Sequence, residues 1–92
     1  MPTAFVLVNT EIGSELAVLS ELKKVERVKE AVAIYGAYDI MVRVASESMD
    51  EVKQTIVWNI RKMDRVRATL TMIIDENKGV PKDKLYSLSY QG

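Results

Sequence analysis

The stretch YGAYDIMVRV, residues 35–44, indicates the turn and second strand of a β-hairpin. Gly36 lies between aromatic residues, and the apolar run after Asp39 is typical of a buried strand. Residues 28–36 are also rich in strand-forming residues, so we expect the chain to reverse near Gly36 and Ala37. The carboxylate of Asp39 at the start of a buried strand indicates either a residue that caps the turn or a residue that binds a ligand. The rest of the sequence has to distinguish these two roles.

The segments on either side of this hairpin predict two helices and two further strands. Residues 4–10 and 66–75 have strand composition. Ser14 is a plausible N-cap for a first helix with an apolar stripe of Leu16, Leu19, Leu22 and Val25. Ser48 and Glu51 form an S-x-x-E capping box that starts a second helix. Its apolar face consists of Met49, Val52, Ile56, Ile60 and Met63.

The order β-α-β-β-α-β predicts an α+β fold, the ferredoxin-like sandwich, with two helices on one face of an antiparallel four-stranded sheet. Residues 4–10 and 38–45 are expected as the central strands. An internal similarity supports two βαβ halves, because residues 23–31 (KKVERVKEA) align without gaps with residues 61–69 (RKMDRVRAT). Both copies lie where a helix ends and a strand begins, so the similarity indicates either duplication or shared corner chemistry.

The amino-acid composition of the chain argues against nucleic-acid binding, metal binding and most kinds of catalysis. The 92 residues favour one domain, and 13 basic against 13 acidic residues leave no net charge, which argues against a nucleic-acid-binding surface. The chain has no cysteine and no histidine, so the commonest metal ligands and the commonest general base are missing. We therefore expect no enzyme activity, no metal and no cofactor. No apolar run is long enough to span a membrane, and a cytoplasmic location is expected.

The helix-free face of the predicted sheet is expected to be apolar, because apolar residues fall on both parities of its strands. A second copy of the chain is the simplest cover, so we expect a homodimer built sheet against sheet. Trp58 lies opposite the apolar stripe of the second helix. It indicates either contact with another subunit or packing against a side chain of its own subunit.

Four residues suggest a small-molecule site. Gly36 allows close approach to the backbone, Asp39 can hold an ammonium, and Thr69 and Thr71 share one face of the last strand. Backbone N–H groups around the turn can hold a carboxylate, so this set suits a free α-amino acid. The alternative is that Asp39 accepts hydrogen bonds from the N–H groups of its own turn.

GAYDIMVRV at residues 36–44 and VRATLT at residues 66–71 resemble the C-terminal effector domain of the Lrp/AsnC transcription regulators, also called the RAM domain. The resemblance covers residues 3–76. It implies dimerisation through the sheets, rings of dimers, and amino-acid effectors bound in clefts between dimers. Carried over, the effector-binding residues are Tyr35, Gly36, Ala37, Tyr38 and Asp39, with Thr69 and Thr71. The interface expectation for Trp58 rests on its position on the helix and not on the resemblance.

The chain departs from the family pattern in two places. It begins at the first strand without a helix-turn-helix, so the resemblance implies a stand-alone domain that does not bind DNA itself and has a full-length regulator as a candidate partner. The corner before the last strand carries Arg65, where the family often has glycine. Residues 1–76 are expected as the effector domain. Residues 77–92 are expected as an extension that forms an extra edge strand, an arm or a mobile terminus.

The expected function is amino-acid binding that modulates transcription or amino-acid metabolism through ligand-dependent oligomerisation. Two alternatives remain. A small dimeric α+β-barrel enzyme, such as a cofactor-independent monooxygenase or isomerase, requires a deep pocket between sheet and helices. A purely structural oligomerisation module requires an occluded cleft at residues 36–39.

Overall fold

The computed structural model describes residues 1–74 and confirms the expected α+β fold. The four strands form one antiparallel sheet in the order β2-β3-β1-β4, so β1 and β3 are central, as expected. The elements in chain order are β1 (Thr3–Thr10), α1 (Glu15–Lys23), β2 (Val28–Ala33), β3 (Ile40–Ala45), α2 (Met49–Gln54) with a π-helical continuation (Thr55–Arg61), and β4 (Val66–Ile73). The proposed extension at residues 77–92 and the end of the last expected strand lie outside the described residues.

The core lies between the helices and one face of the sheet. Strand β1 alternates between buried and half-buried residues along its whole length, which is the pattern of a strand with one covered face. The fully buried large side chains include Val6, Val8, Ile40, Val42 and Val44 from the central strands and Leu22, Val52 and Ile60 from the helices. Each contributes about 1.5–3 kcal/mol by leaving water, so the central strands and both helices are fixed together.

The apolar face of α1 differs from the predicted stripe. Leu16 is 77% exposed, whereas Val18 is 2% exposed and packs into the core with Leu22. An exact three-residue repeat drifts by about 60° per step around a helix of 3.6 residues per turn, so Leu16 lies about 120° from Leu22. Ser14 does occupy the N-cap position, but its side chain forms no capping hydrogen bond.

The second helix confirms its capping box and its apolar stripe. The Ser48 hydroxyl accepts a hydrogen bond from the Glu51 N–H at 3.2 Å. Val52, Ile56 and Ile60 are buried on one face. From Thr55 onward the helix widens into a π-helical turn, where the buried Thr55 hydroxyl donates to the Glu51 carbonyl at 2.8 Å. This widening lies in the segment that carries Trp58.

The face of the sheet away from the helices is largely apolar, and no other described residue covers it. We call it the open face, and its cross-strand rows are Val32–Met41–Leu7–Leu70 and Glu30–Arg43–Phe5–Met72. Leu70 and Met72 are each 45% exposed. The expectation of apolar residues on both faces is therefore confirmed. None of the helices in the described part of the chain is long and apolar enough to cross a membrane.

Candidate functional site

The β2–β3 hairpin has a longer loop than expected. Strand β2 ends at Ala33 and β3 begins at Ile40, so residues 34–39 form the loop, and the chain reverses near Gly36 and Ala37 through a longer connection than the sequence predicts. The Ile34 N–H donates to the Asp39 carbonyl at 2.9 Å and closes the loop, while the Asp39 N–H donates to Val8 of β1 at 3.0 Å. Asp39 is thus held by β1 as well as by Ile34, which fixes the end of the loop against the sheet.

The expected effector residues of this loop present backbone and side chain to solvent. Gly36 has φ +132°, which would strain any other residue at this position. Tyr35 is fully exposed, Ala37 is exposed, and Tyr38 is half-buried. The loop is therefore accessible in the protomer, and its glycine is required by the backbone conformation.

Asp39 ties the end of β1 to the start of β3. Its Oδ2 accepts the backbone N–H of Thr10 at 2.9 Å and lies 3.4 Å from the Thr10 hydroxyl, which also donates to it. The bonded groups belong to a neighbouring strand, so Asp39 does not cap its own turn. Within residues 1–74 the other carboxylate oxygen, Oδ1, forms no hydrogen bond. Asp39 is thus a structural tie with one acceptor atom still available.

Thr69 and Thr71 lie apart from this loop in the protomer. They pair with Val8 and Val6, whose side chains face the helices, so the two threonines are on the helix side of β4. Thr69 is half-buried and Thr71 is exposed. Strand β1 separates β4 from β3, which places Thr69 about 10 Å from β3. One protomer brings Gly36 and Asp39 together with Thr10, and leaves both threonines two strands away.

Thr10 is a contact that sequence reasoning missed. It ends β1 at a register shift and is 6% exposed, with its N–H and hydroxyl both directed to Asp39. No local pattern links residues 10 and 39, because their contact depends on the register of β1 against β3. The one signal in the sequence is that Thr10 is a polar, β-branched residue at the end of a strand. That signal does not identify the residue that Thr10 contacts.

The corner before β4 lies at the same end of the sheet. The Glu11 N–H, next to Thr10, donates to the Arg65 carbonyl at 2.8 Å. Arg65 has φ +74° and is the one non-glycine residue with positive φ among residues 1–74. Glycine adopts this conformation without steric penalty, whereas the Cβ of Arg65 is crowded in it.

Two grooves lie on the helix side and share Glu21 and Met63. The first, of about 660 Å³, is lined by residues that include Trp58, Asn59, Lys62 and Arg27. The second, of about 550 Å³, lies between α1 and the corner before β4 and is lined by Ala17, Val18, Ser20, Glu21, Met63, Asp64 and Arg65. Neither contains the hairpin residues expected at the effector site.

Trp58 faces away from the core, as the helix pattern predicts. It is 62% exposed, and the ammonium of Lys62 lies 4.0 Å from the centre of its ring. Its own subunit therefore covers part of one ring face, and most of the indole stays accessible. The described residues contain no group of three or more acidic side chains arranged to hold a metal ion.

Comparison with known proteins identifies this architecture. Residues 3–78 match the model of the Lrp/AsnC ligand binding domain. A Pyrococcus abyssi protein described as an uncharacterized HTH-type transcriptional regulator is 29% identical over 75 residues, which cover 82% of this chain and 48% of that protein. The chain thus spans about half the length of this relative.

Two solved structures show the same fold. The crystal structure of FFRP-DM1 is 40% identical, with a TM-score of 0.78, and the match covers 82% of this chain and 100% of that one. A transcriptional regulator from Neisseria meningitidis, solved in complex with L-Met, is 14% identical with a TM-score of 0.69, covering 91% of this chain and 58% of that one. At that identity the likeness concerns the fold alone.

The matched family model is a ligand-binding domain and the Pyrococcus abyssi relative is described as a transcription regulator, which agrees with the expected lack of catalysis and counts against the α+β-barrel enzyme. The match extends over most of the chain and includes the hairpin, the corner and β4. The chain belongs to the Lrp/AsnC family, and its residues 3–78 match the ligand-binding domain of that family.

Proposed function

We propose that this domain binds a free α-amino acid at the hairpin end of the sheet and that binding changes how dimers assemble. The observation that carries the proposal is the geometry of Asp39 in a ligand-binding domain of this family. One of its carboxylate oxygens is held by Thr10, and the other is available at the mouth of an exposed loop. A neighbouring fold solved with L-Met supports an amino acid as the class of effector.

The two charged groups of an amino acid have complementary groups in this loop. The free Asp39 oxygen suits an ammonium, because a charge-assisted hydrogen bond is stronger than a neutral one. No hydrogen bond in the described part of the chain uses the N–H groups of residues 35–38. Successive free N–H groups around a residue with positive φ form a concave anion site that suits a carboxylate.

A second copy of the chain completes the arrangement in this proposal. The open face pairs with the open face of another protomer, since its apolar rows are otherwise left in water. Neighbouring dimers then meet near the hairpin end, with Trp58 at the interface. Thr69 and Thr71 contribute to the cleft from a different protomer, because within one protomer they lie two strands from Asp39.

The regulatory consequence follows from linkage. An effector that contacts two dimers at once binds the assembled state more tightly than it binds free dimers. The difference between these two binding free energies is the amount by which it stabilises the assembly. A full-length Lrp/AsnC regulator that shares this assembly would respond to the same effector. The second candidate function is a structural module that binds no ligand. The hairpin loop is accessible in the single protomer, which counts against this second candidate.

The test is calorimetric titration of the protein with each of the twenty amino acids at millimolar concentration, followed by light scattering with any that bind. We expect saturable binding of one or a few and a change in assembly mass. Asp39→Asn retains an acceptor for the Thr10 N–H but removes the charge, so it should weaken binding at least tenfold in a folded dimer. Unchanged affinity in Asp39→Asn would rule out the hairpin site, and no binding of any amino acid would favour the structural module.

A further inference from the structure

Strand β4 lies at an edge of the sheet, where β1 is its only neighbouring strand among the described residues. The Ile74 N–H, just after the end of β4, donates to the Thr3 carbonyl of β1 at 3.0 Å. Because N–H directions alternate along an antiparallel strand, Thr69, Thr71 and Ile73 turn their N–H groups away from β1. No strand within residues 1–74 lies on that side, so β4 presents a row of backbone groups with which another strand can pair.

The side chains of β4 make this edge prone to pairing with other chains. Residues 68–74 (ATLTMII) contain no charged residue and no proline. Four large apolar side chains of this run are between 40% and 48% exposed, namely Leu70, Met72, Ile73 and Ile74. The opposite edge, β2, carries the charged residues Lys29 and Glu30, which discourage such pairing. An uncharged apolar edge like that of β4 is an aggregation hazard unless something covers it.

The chain that follows β4 contains a segment with the periodicity of a strand. Residues 84–90 (KLYSLSY) lie outside the described part of the chain, and large side chains alternate with serines from Tyr86 to Tyr90 in their sequence. Residues 75–83 connect this segment to β4 and include Gly79-Val80-Pro81, a composition that favours a change of chain direction. The sequence therefore provides a candidate strand shortly after the uncovered edge.

We propose that residues 84–90 form a fifth strand, which returns antiparallel to β4 and pairs with its uncovered edge in the same protomer. In the proposed register each facing pair joins side chains of similar polarity. The pairs are Leu85 with Ile73, Tyr86 with Met72, Ser87 with Thr71, Leu88 with Leu70, and Ser89 with Thr69. A shift of one residue in either direction would set a serine opposite Leu70, on the open face, so the pattern fixes the register.

The short connection favours the tail of the same protomer over that of another chain. The nine residues 75–83 have to bridge only the spacing of neighbouring strands, about 4.8 Å. A segment tethered in this way has an effective concentration on the order of millimolar, whatever the concentration of the protein. Pairing within one protomer therefore precedes pairing between protomers.

The fifth strand completes the hydrogen bonding of β4 and widens the open face. The outward N–H groups of Thr69, Thr71 and Ile73 gain acceptors, which prevents association of chains edge to edge. The apolar rows that end at Leu70 and Met72 each gain one further member, so the surface offered to a second protomer is larger. The strand forms without an effector, so it is tested independently of the hairpin site.

Cysteine cross-linking in the full chain tests the register, because the chain has no cysteine of its own. Thr71→Cys combined with Ser87→Cys places two thiols on facing residues, whose Cα atoms, about 5.5 Å apart, are within the range for a disulfide. Thr71→Cys combined with Ser89→Cys is the matched control, with the same residue types two positions out of register. We expect an intrachain disulfide to form about tenfold faster in the first variant than in the control.

The product of oxidation, separated on a non-reducing gel, decides between the occupants of the edge. An intrachain disulfide that is specific to the Thr71 and Ser87 pair supports the proposed strand. Equal cross-linking in the control, or no cross-linking in either variant, would overturn it. A covalent dimer in the first variant would also overturn it, because the tail of a second copy would then occupy the edge.

Amide hydrogen exchange followed by NMR tests the same strand without cysteines. The N–H groups of Thr69, Thr71 and Ile73 should exchange about tenfold more slowly in the wild type than in Ser87→Pro, which removes an N–H that donates to β4. Val80→Pro places a proline in the connection and is the matched control, with exchange rates expected to equal those of the wild type. Fast exchange of these groups in the wild type, or slow exchange that Ser87→Pro leaves unchanged, would reject the fifth strand.

Discussion

The carboxylate of Asp39 accepts the backbone N–H of Thr10 at 2.9 Å, across 29 residues of chain. This bond joins the end of β1 to the start of β3, and the next residue along, Glu11, is bonded to the corner at Arg65. The three loops at this end of the sheet are therefore positioned by one another. A ligand that binds the hairpin also contacts Asp39, whose carboxylate holds the strands together. Stability and binding therefore have to be measured separately for each variant.

Removal of the Asp39 side chain should destabilise the protomer. Asp39→Ala leaves the buried backbone N–H of Thr10 without its acceptor and should lower the free energy of unfolding by about 1–2 kcal/mol. Thr10→Val removes only the longer contact, from the hydroxyl at 3.4 Å, and should cost less. Urea denaturation of the two variants provides the comparison. A loss in Thr10→Val as large as that in Asp39→Ala would show that the hydroxyl, and not the backbone N–H, makes the important bond.

Arg65→Gly should stabilise the protein. Glycine adopts φ +74° without crowding, so the substitution should raise the free energy of unfolding by about 1 kcal/mol, less the greater freedom of glycine in the unfolded chain. Arg65→Ala retains the crowded Cβ and should change stability little. Thermal and urea unfolding of both variants test this. Equal stability of the glycine and alanine variants would mean that the corner relaxes around the side chain.

Local signals in the sequence predicted the second helix better than the first. Ser48 and Glu51 interact within one turn, and the spacing of Val52, Ile56 and Ile60 matches the helical period, so both features were confirmed. The stripe in α1 was read from a three-residue repeat, which drifts around the helix. That drift is why Leu16 was wrongly assigned to the core.

Contacts at the candidate site were harder to predict, because they depend on strand register. The chain reversal near Gly36 and Ala37 was predicted from the sequence, whereas β3 begins at Ile40 and not at residue 38 as expected. Two features follow from the strand order β2-β3-β1-β4 together with the residue-by-residue register of the strands. They are the bond between Thr10 and Asp39 and the distance of Thr69 from that bond. Sequence patterns predict that order but not which side chains meet at the ends of the strands.

The proposed dimer pairs the open faces of two protomers. Leu70 is at the edge of an apolar row that crosses all four strands, so Leu70→Asp should place a charge in the sheet-to-sheet interface and yield monomers. Leu16→Asp is the matched control, since Leu16 is more exposed but lies on α1, away from the open face. Sedimentation equilibrium measures both masses. A dimeric Leu70→Asp variant would place the interface elsewhere.

Glu51 should make stability depend on acid pH. The hydrogen bond from the Ser46 hydroxyl is the largest cause that holds the pKa of Glu51 below its ordinary value of 4.5, and together with Arg27 and Ser48 it outweighs the upward effect of burial. A lowered folded pKa contributes stability that is present above the unfolded value and is lost as pH falls through the folded one. The wild type should therefore lose stability below about pH 4.5 more steeply than Glu51→Gln.

Urea midpoints from pH 7 to pH 3 test the role of Glu51, with Glu47→Gln as the matched control. Glu47 is an exposed neighbour outside the Ser46–Glu51–Arg27 contacts, so its variant should follow the wild-type pH profile. Parallel profiles for wild type and Glu51→Gln would show that other carboxylates control acid unfolding.

Trp58 should affect assembly above the dimer and leave the dimer intact, because it lies on the helix side while the open face lies on the other. Trp58→Ala removes a ring that is 62% exposed and partly covered by Lys62, so it should change the stability of the protomer little. If Trp58 packs between dimers, light scattering should give a dimer mass for Trp58→Ala and a larger mass for the wild type. The chain has a single tryptophan, so wild-type fluorescence should also shift to the red on dilution as the ring becomes exposed. Equal masses and an emission spectrum independent of concentration would show that Lys62 is the principal contact of this ring.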